Sequence, residues 1–241
     1  MPTQNSALAP SYTKCSQCGL MKLCLPSGLD PQDMIQLENI IELSTPYNDN
    51  QSVFHANQTF ECIYTVKSGM FKTLVIDVNG NEHILGFHLP GELFGLDAIY
   101  PKKYISSAIS LGTSSVCAIH YTDLETLSSK LPSLQRQLFC LMSKEVHTFQ
   151  SLTVEHAADQ KLAGFILALS VRYKQRGYSQ TRINLMMPRR DIANHLNMAA
   201  ETVSRLFKRF QQEGLIYIQR SDLQITNMEA LKQLAGCASY C

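Results

Sequence analysis

The sequence predicts an α+β fold in three parts: an antiparallel β jelly-roll barrel, one long helix, and a compact helical module closed by a hairpin. Three observations carry this. Short β-branched and aromatic segments, separated by Gly- and Pro-rich turns, fill residues 53–121. Apolar residues at alternating spacings of 3 and 4 then follow at Phe139, Met142, Val146, Phe149 and Thr153. Residues 188–214 hold two short amphipathic segments broken at an asparagine and stopped at a glycine.

At 241 residues the chain has room for one large domain or two smaller ones. Residues 1–14 contain no continuous apolar stretch, so no signal peptide is expected. The longest apolar run, Leu162 to Val171, is too short for a bilayer and contains Gly164 and Ser170. A cytoplasmic protein with no membrane partner is expected. In that compartment the eight cysteines are free thiols or metal ligands rather than disulfides. The net charge of +1 hides a split. Residues 1–170 hold 10 Lys+Arg against 15 Asp+Glu, whereas residues 171–220 hold 10 against 3. A basic module on an acidic body points to a local polyanion-binding surface.

Residues 1–28 form a polar tail bearing Cys15, Cys18 and Cys24, a C-x2-C-x5-C spacing. Three thiolates in one short loop can hold a soft metal or a cluster, with a fourth ligand supplied from elsewhere. Zinc and an iron–sulfur core both satisfy that ligand count, and spacing does not choose between them.

The barrel is expected over residues 29–130. Leu29 to Leu43 reads as a short helix, with Pro31 early and Met34, Ile35, Leu37 and Ile41 near helical spacing. Phe60 to Val66 and Met70 to Val78 read as two strands; Asn79-Gly80 then joins the second to Glu82–Leu89 in a tight hairpin. Residues 131–160 form the long helix, opened by Leu131-Pro132. Its seam of Phe139, Met142, Val146, Phe149 and Thr153 is expected to pair two copies of the chain. Leu162 to Tyr173 is a further helix ended by Gly177.

The last part spans residues 161–241. Pro188 suits a first helical position, and Asn197 suits a tight turn because asparagine accepts the left-handed region. On the helix from Ala199 to Gln212, Val203, Leu206, Phe207 and Phe210 make a core stripe. Glu201, Ser204, Arg205 and Lys208 repeat the spacing on another face, which is the layout of a recognition helix in a helix-turn-helix. Arg205 can donate twice to guanine, Glu201 can accept from cytosine, and Ser204 can approach either kind of base edge. Arg189, Arg190, Lys208 and Arg209 read as phosphate contacts. Leu215–Gln219 and Leu223–Thr226 form a wing turning near Ser221-Asp222. Double-stranded DNA is the implied partner. The histidines do not cluster and no catalytic motif appears, so an enzyme is not expected.

The chain resembles the FNR branch of the CRP/FNR superfamily of bacterial transcription regulators. The resemblance rests on the cysteine tail followed by Pro26, on Gly86 to Leu93 leading into Leu96-Asp97-Ala98-Ile99, and on Glu201-Thr202-Val203-Ser204-Arg205. It implies a cyclic-nucleotide-binding-like barrel, a dimerisation helix and a winged helix-turn-helix. It also implies an oxygen-responsive homodimer with a [4Fe–4S] cluster on Cys15, Cys18, Cys24 and Cys117, the last at the branch's place for the fourth ligand. TTGAT-type palindromic half-sites, contact with RNA polymerase, control of anaerobic-metabolism genes as activator or repressor, and inactivation on cluster oxidation follow from the same resemblance. Phe149 stands where relatives often carry a carboxylate, and an apolar residue there favours association. A cyclic-nucleotide-dependent regulator is the rival in the same superfamily, but Lys102 to Ser107 lacks the arginine that would grip a phosphate. A structural zinc site is the other.

Overall fold

The structure, a computed structural model, describes residues 14–153 and 156–236, with the side chains of 148–153 excepted. The chain opens with two 3₁₀ turns, Cys15–Gln17 and Met21–Leu23. Helix α1, Pro31–Glu38, follows with Asp30 as its N-cap, accepting from the backbone of Gln32 and Asp33. It ends sooner than its apolar spacing predicts. Residues 41–43 instead form strand β1, Ile41–Leu43, paired with β6, Ser107–His120, at Ile41↔Ile119 and Leu43↔Cys117. An available sheet edge outcompetes a weak helical pattern because it satisfies the backbone groups and buries the apolar face together.

The barrel sheet has the path β1-β6-β3-β4, all antiparallel. Its centre is β3, Cys62–Ile76, one strand of 15 residues where two were expected. Register shifts at Val66/Ser68 and Ser68/Met70 bend β3 instead of ending it. Gly69 makes the second bend possible: its φ is +75° and a Cβ there would lie 2.2 Å from Ser114 Oγ. Strand β4, Glu82–His88, returns after a loop longer than the tight turn expected. In that loop Gly80 has φ +83° and the Asp77 carboxylate accepts from the amides of Asn79 and Asn81. Short strands β2, Ser52–Phe54, and β5, Leu93–Phe94, pair with β6 and β3. Inside lie Phe54, Ile63, Phe71, Phe94, Tyr104 and Val116, with Phe54 and Tyr104 stacked at 3.8 Å between centroids.

Helix α2, Tyr121–Lys130, leads to α3, Pro132–Thr153. Helix α4, Ala158–Gln175, is buried along Leu162–Leu167 and stops before Gly177, at φ +76°. The final domain adds β7, Arg182–Asn184; α5, Arg189–His195; α6, Ala200–Gln212; β8, Ile216–Gln219; β9, Asp222–Ile225; and α7, Met228–Leu234. Pro188 precedes α5 in extended backbone instead of occupying its first turn. The wing turns one residue earlier than expected, at Arg220-Ser221, since Asp222 already pairs with Gln219. Strand β7, which periodicity did not reveal, completes the order β7-β9-β8.

Candidate metal centre and nucleic-acid interface

The tail lies against the barrel because its own residues anchor it. Leu25 is fully buried in the barrel core with Leu37 and Leu134. The Ser16 amide donates to Glu38 Oε1 at 2.9 Å, and Gln137 Nε2 of α3 donates to the Cys24 carbonyl at 3.4 Å. Gly91, at φ +87°, lets Leu23 approach so closely that a Cβ there would lie 3.1 Å from Leu23 Cβ. The two 3₁₀ turns then set Cys15, Cys18 and Cys24 around one opening. Cys117 reaches the same place from β6, opposite Thr65 of β3.

All four cysteines line a single cavity of about 430 Å³ between tail and sheet. They are free thiols. Burial, then the neighbouring thiols, push Cys15 up to about 12. Burial pushes Cys24 up to about 11, and also raises Cys117, where Lys67 opposes it. The Cys24 thiol donates to Thr65 Oγ1 at 3.7 Å, and Lys67 Nζ donates to Cys18 Sγ at 3.2 Å. Among the described residues no three His, Cys, Asp or Glu side chains converge closely enough to hold one metal ion. The sulfurs share a chamber without meeting at a point. Cys62 lies elsewhere, 3.4 Å from His120 Nδ1, and Cys140 is exposed on α3. Periodicity could not reveal Thr65, Lys67 or Gln137; the only signal was that Thr65 and Lys67 alternate on one strand.

In the basic domain, Asn197 takes φ +54° between α5 and α6, as its turn requires. Val203, Leu206, Phe207 and Phe210 are buried, while Glu201, Ser204, Arg205 and Lys208 are exposed. Ser204 Oγ donates to the Ala200 carbonyl at 2.9 Å. The proposed phosphate-binding cations divide. Arg190 and Lys208 are exposed. The Arg189 guanidinium stacks 3.7 Å from the Phe207 ring centroid, and Arg209 pairs with Asp159 of α4 at 2.8 Å.

This domain is held to the barrel by an apolar core that Met70, Leu74, Ile84 and Phe87 share with Phe165 and Ile192, and by polar contacts. Lys72 of β3 pairs with Asp191 of α5. Asn194 accepts from the Ile84 amide at 2.7 Å and donates to the Glu82 carbonyl at 2.6 Å. Glu92, in the turn before β5, accepts from Arg172 Nε of α4 at 2.8 Å and from Nη2 of Arg176, the residue that caps α4, at 2.7 Å.

On α3, Phe139, Met142 and Val146 are 62%, 41% and 57% exposed, a row of large apolar side chains. The side chains of Phe149 and Thr153 lie outside the described residues.

Comparison with known proteins places this architecture. A model of the Crp-like helix-turn-helix domain matches residues 160–234, and one of the cyclic nucleotide-binding domain matches residues 45–130. The fumarate and nitrate reduction regulatory protein of Escherichia coli (strain K12) is 40% identical over 225 residues, covering 92% of this chain and 90% of that protein. The chain belongs to the FNR branch of the CRP/FNR superfamily. Two further relatives of this FNR-type chain span nearly all of it. The transcriptional activator protein FnrA of Stutzerimonas stutzeri is 39% identical over 95% of the chain and 96% of its own length. The transcriptional regulatory protein btr of Bordetella pertussis is 38% identical over the same shares. Among solved structures, FixK2 from Bradyrhizobium japonicum superposes with a TM-score of 0.74 at 23% identity, covering 83% of this chain and 99% of FixK2, and so shares the fold. This FNR-type chain is therefore a DNA-binding transcription regulator and not an enzyme.

Proposed function

We propose that this regulator responds to oxygen by means of a [4Fe–4S] cluster held by Cys15, Cys18, Cys24 and Cys117. The observation that carries the reading is the one cavity of about 430 Å³ onto which all four thiols open. The donors fit such a group. They are unpaired, soft and clustered. They do not converge on one point, as a single zinc ion would need with sulfurs at about 2.3 Å. When bound, the cluster would supply separate iron sites for the four sulfurs and an oxygen-sensitive core.

The chain's own residues do the rest. Cys24 is followed by the fully buried Leu25, which shares the core with Leu134 of α3, and its carbonyl accepts from Gln137 of α3. Holding Cys24 therefore steadies the first turns of α3. Freeing it loosens them just before the exposed row Phe139, Met142 and Val146. That row, continued to Phe149 and Thr153, is the seam between two copies of the chain, and a few kcal/mol there decide between monomer and dimer. The dimer presents two α6 helices to half-sites of TTGAT type about one helical turn apart. Arg205, Ser204 and Glu201 read bases, Arg190 and Lys208 hold phosphates with Arg189 and Arg209 flanking them, and RNA polymerase is the further partner.

A cyclic nucleotide is the weaker alternative. The Glu92 carboxylate is occupied by Arg172 and Arg176, and Lys102 to Ser107 offers no arginine for a phosphate. The test is anoxic purification with iron and sulfide analysis, then air exposure in the presence of half-site DNA. A brown protein with absorption at roughly 400 nm that loses colour, dimer and operator binding in air is expected. Iron-free anoxic protein that binds the operator equally well in air would overturn the reading.

A further inference from the structure

We infer that Lys67 is the charge-compensating residue of the cysteine cavity: as a positioning donor to the Cys18 sulfur, it governs how firmly the cavity retains an iron–sulfur core. The inference rests on the cluster reading above and adds a residue to it.

Two independent features of the fold aim this side chain. β3 and β6 pair at Val66↔Val116 and next at Ser68↔Ser115, so Lys67 is the extra, unpaired residue of a β-bulge. Bulges re-aim a side chain, and this one sends an ammonium to the rim of the cavity, where Nζ donates to Cys18 Sγ at 3.2 Å. The second feature is the absence of a competing partner. Elsewhere at the barrel, Lys72 pairs with Asp191, and Arg172 and Arg176 pair with Glu92. Among the described residues no carboxylate lies within ion-pairing distance of Lys67; sulfur is what it meets.

The chemistry follows from charge. Four thiolates around an iron–sulfur core leave a net negative group in a partly buried chamber. Buried charge is costly unless it is paired and hydrogen-bonded. The other charged groups lining the chamber are Lys14, exposed at its mouth, and Glu38, whose carboxylate adds to the negative charge. Lys67 is thus the cation built into the sheet wall. A hydrogen bond to a ligand sulfur is also one of the levers that sets the properties of such clusters.

The experiment uses the full chain, purified without oxygen, as wild type, Lys67→Met and Lys67→Arg. Each is mixed anaerobically with an iron chelator, and iron transfer and loss of absorption are followed in time; no oxidant is involved, only exchange of sulfur for chelator at iron. Lys67→Met, which keeps the aliphatic stem, is expected to lose iron about ten-fold faster, the factor that corresponds to about 1.4 kcal/mol. Lys67→Arg, which keeps charge and donor, is expected to stay within about two-fold of wild type, a difference of under 0.5 kcal/mol. Thermal unfolding of the apoproteins checks that each variant folds, and Lys67→Gln replaces the methionine variant if that one does not. Wild-type iron loss in Lys67→Met, or equal acceleration in the methionine and arginine variants, overturns the role of Lys67 and leaves the cluster reading standing. Wild-type protein that never holds iron overturns both.

Discussion

Lys72 Nζ lies 2.6 Å from Asp191 Oδ2, in a pair whose side chains are 6% and 3% exposed, and this contact joins the barrel to α5, the first helix of the helix-turn-helix. The two residues are 119 positions apart. Around them Asn194 and His195 bond to Glu82 and Ile84 of β4, and Ile192 and Ala193 share a buried apolar core with Ile84 and Phe87, so α5 docks on the barrel edge through both.

Breaking the pair at Lys72 leaves the buried Asp191 with only the exposed Arg190, 3.3 Å from its Oδ1, as a charged partner. Lys72→Met is therefore expected to destabilise the protein by about 3–5 kcal/mol. Lys72→Met combined with Asp191→Leu should recover most of that loss, because two apolar groups replace two desolvated charges. Urea unfolding of the two variants checks this; a double variant no better than the single one would show that the pair is not the source of the loss.

Glu92 gives the fold a pH dependence. Burial alone would raise its carboxyl, yet Arg172 and Arg176 hold it well below the ordinary value of 4.5. In the window below 4.5 the unfolded chain takes up a proton that the folded chain refuses, so its contribution is complete above 4.5 and fades as pH falls. His88, lowered by burial from 6.5 to about 4, adds a loss that begins higher, as pH falls from 6.5. Glu92→Gln should be less stable at neutral pH and should show a shallower fall between pH 4.5 and 3. Parallel acid limbs in wild type and variant would remove Glu92 from the account.

On the proposed reading, the exposed face of α6 divides base reading from phosphate holding. Arg205→Ala should cost about 1–3 kcal/mol on the cognate half-site and little on random DNA. Lys208→Ala should weaken both and lower the salt slope by about one phosphate. Competition binding over a range of salt distinguishes them; equal losses on cognate and random DNA for Arg205→Ala would end its base-reading role.

Cys117→Ala should prevent the cluster from assembling, measured as iron and sulfide per chain after anoxic purification. Retention of a full complement would shift the fourth ligand elsewhere. Cys62 beside His120 and Cys140 on α3 both stand outside the cavity, so neither reaches it without rearrangement.

Val146→Glu places a charge in the row of Phe139, Met142 and Val146. Sedimentation of the cluster-loaded protein should then report a monomer, with operator binding lost and the cluster retained. A dimer that survives this change would place the interface elsewhere.

What the sequence makes legible is local. Two faces of α6 were legible because a helix sorts residues by 3.6, and Asn197, Gly177 and Gly214 marked ends because each adopts positive φ there. Residues 41–43 misled because three residues cannot distinguish the periods, and pairing with β6 decided the matter. Phe60–Val66 and Met70–Val78 read as separate strands because Gly69 resembles a break, whereas the sheet absorbs it as a bend. Nothing local marks Asp191, an acid in the first turn of α5, as the partner of Lys72.

Sequence alone determined the cysteine spacing, the basic reading module and the family to which the chain belongs, since each is written in short, contiguous patterns. Only the tertiary structure brought Cys117 to the tail, turned Lys67 toward Cys18, seated Gln137 against Cys24 and joined Lys72 to Asp191. Those contacts link residues 49 to 119 positions apart in the chain. They depend on strand register, a bulge and domain docking, which arise from packing of the whole chain and leave no periodic mark on any segment of it.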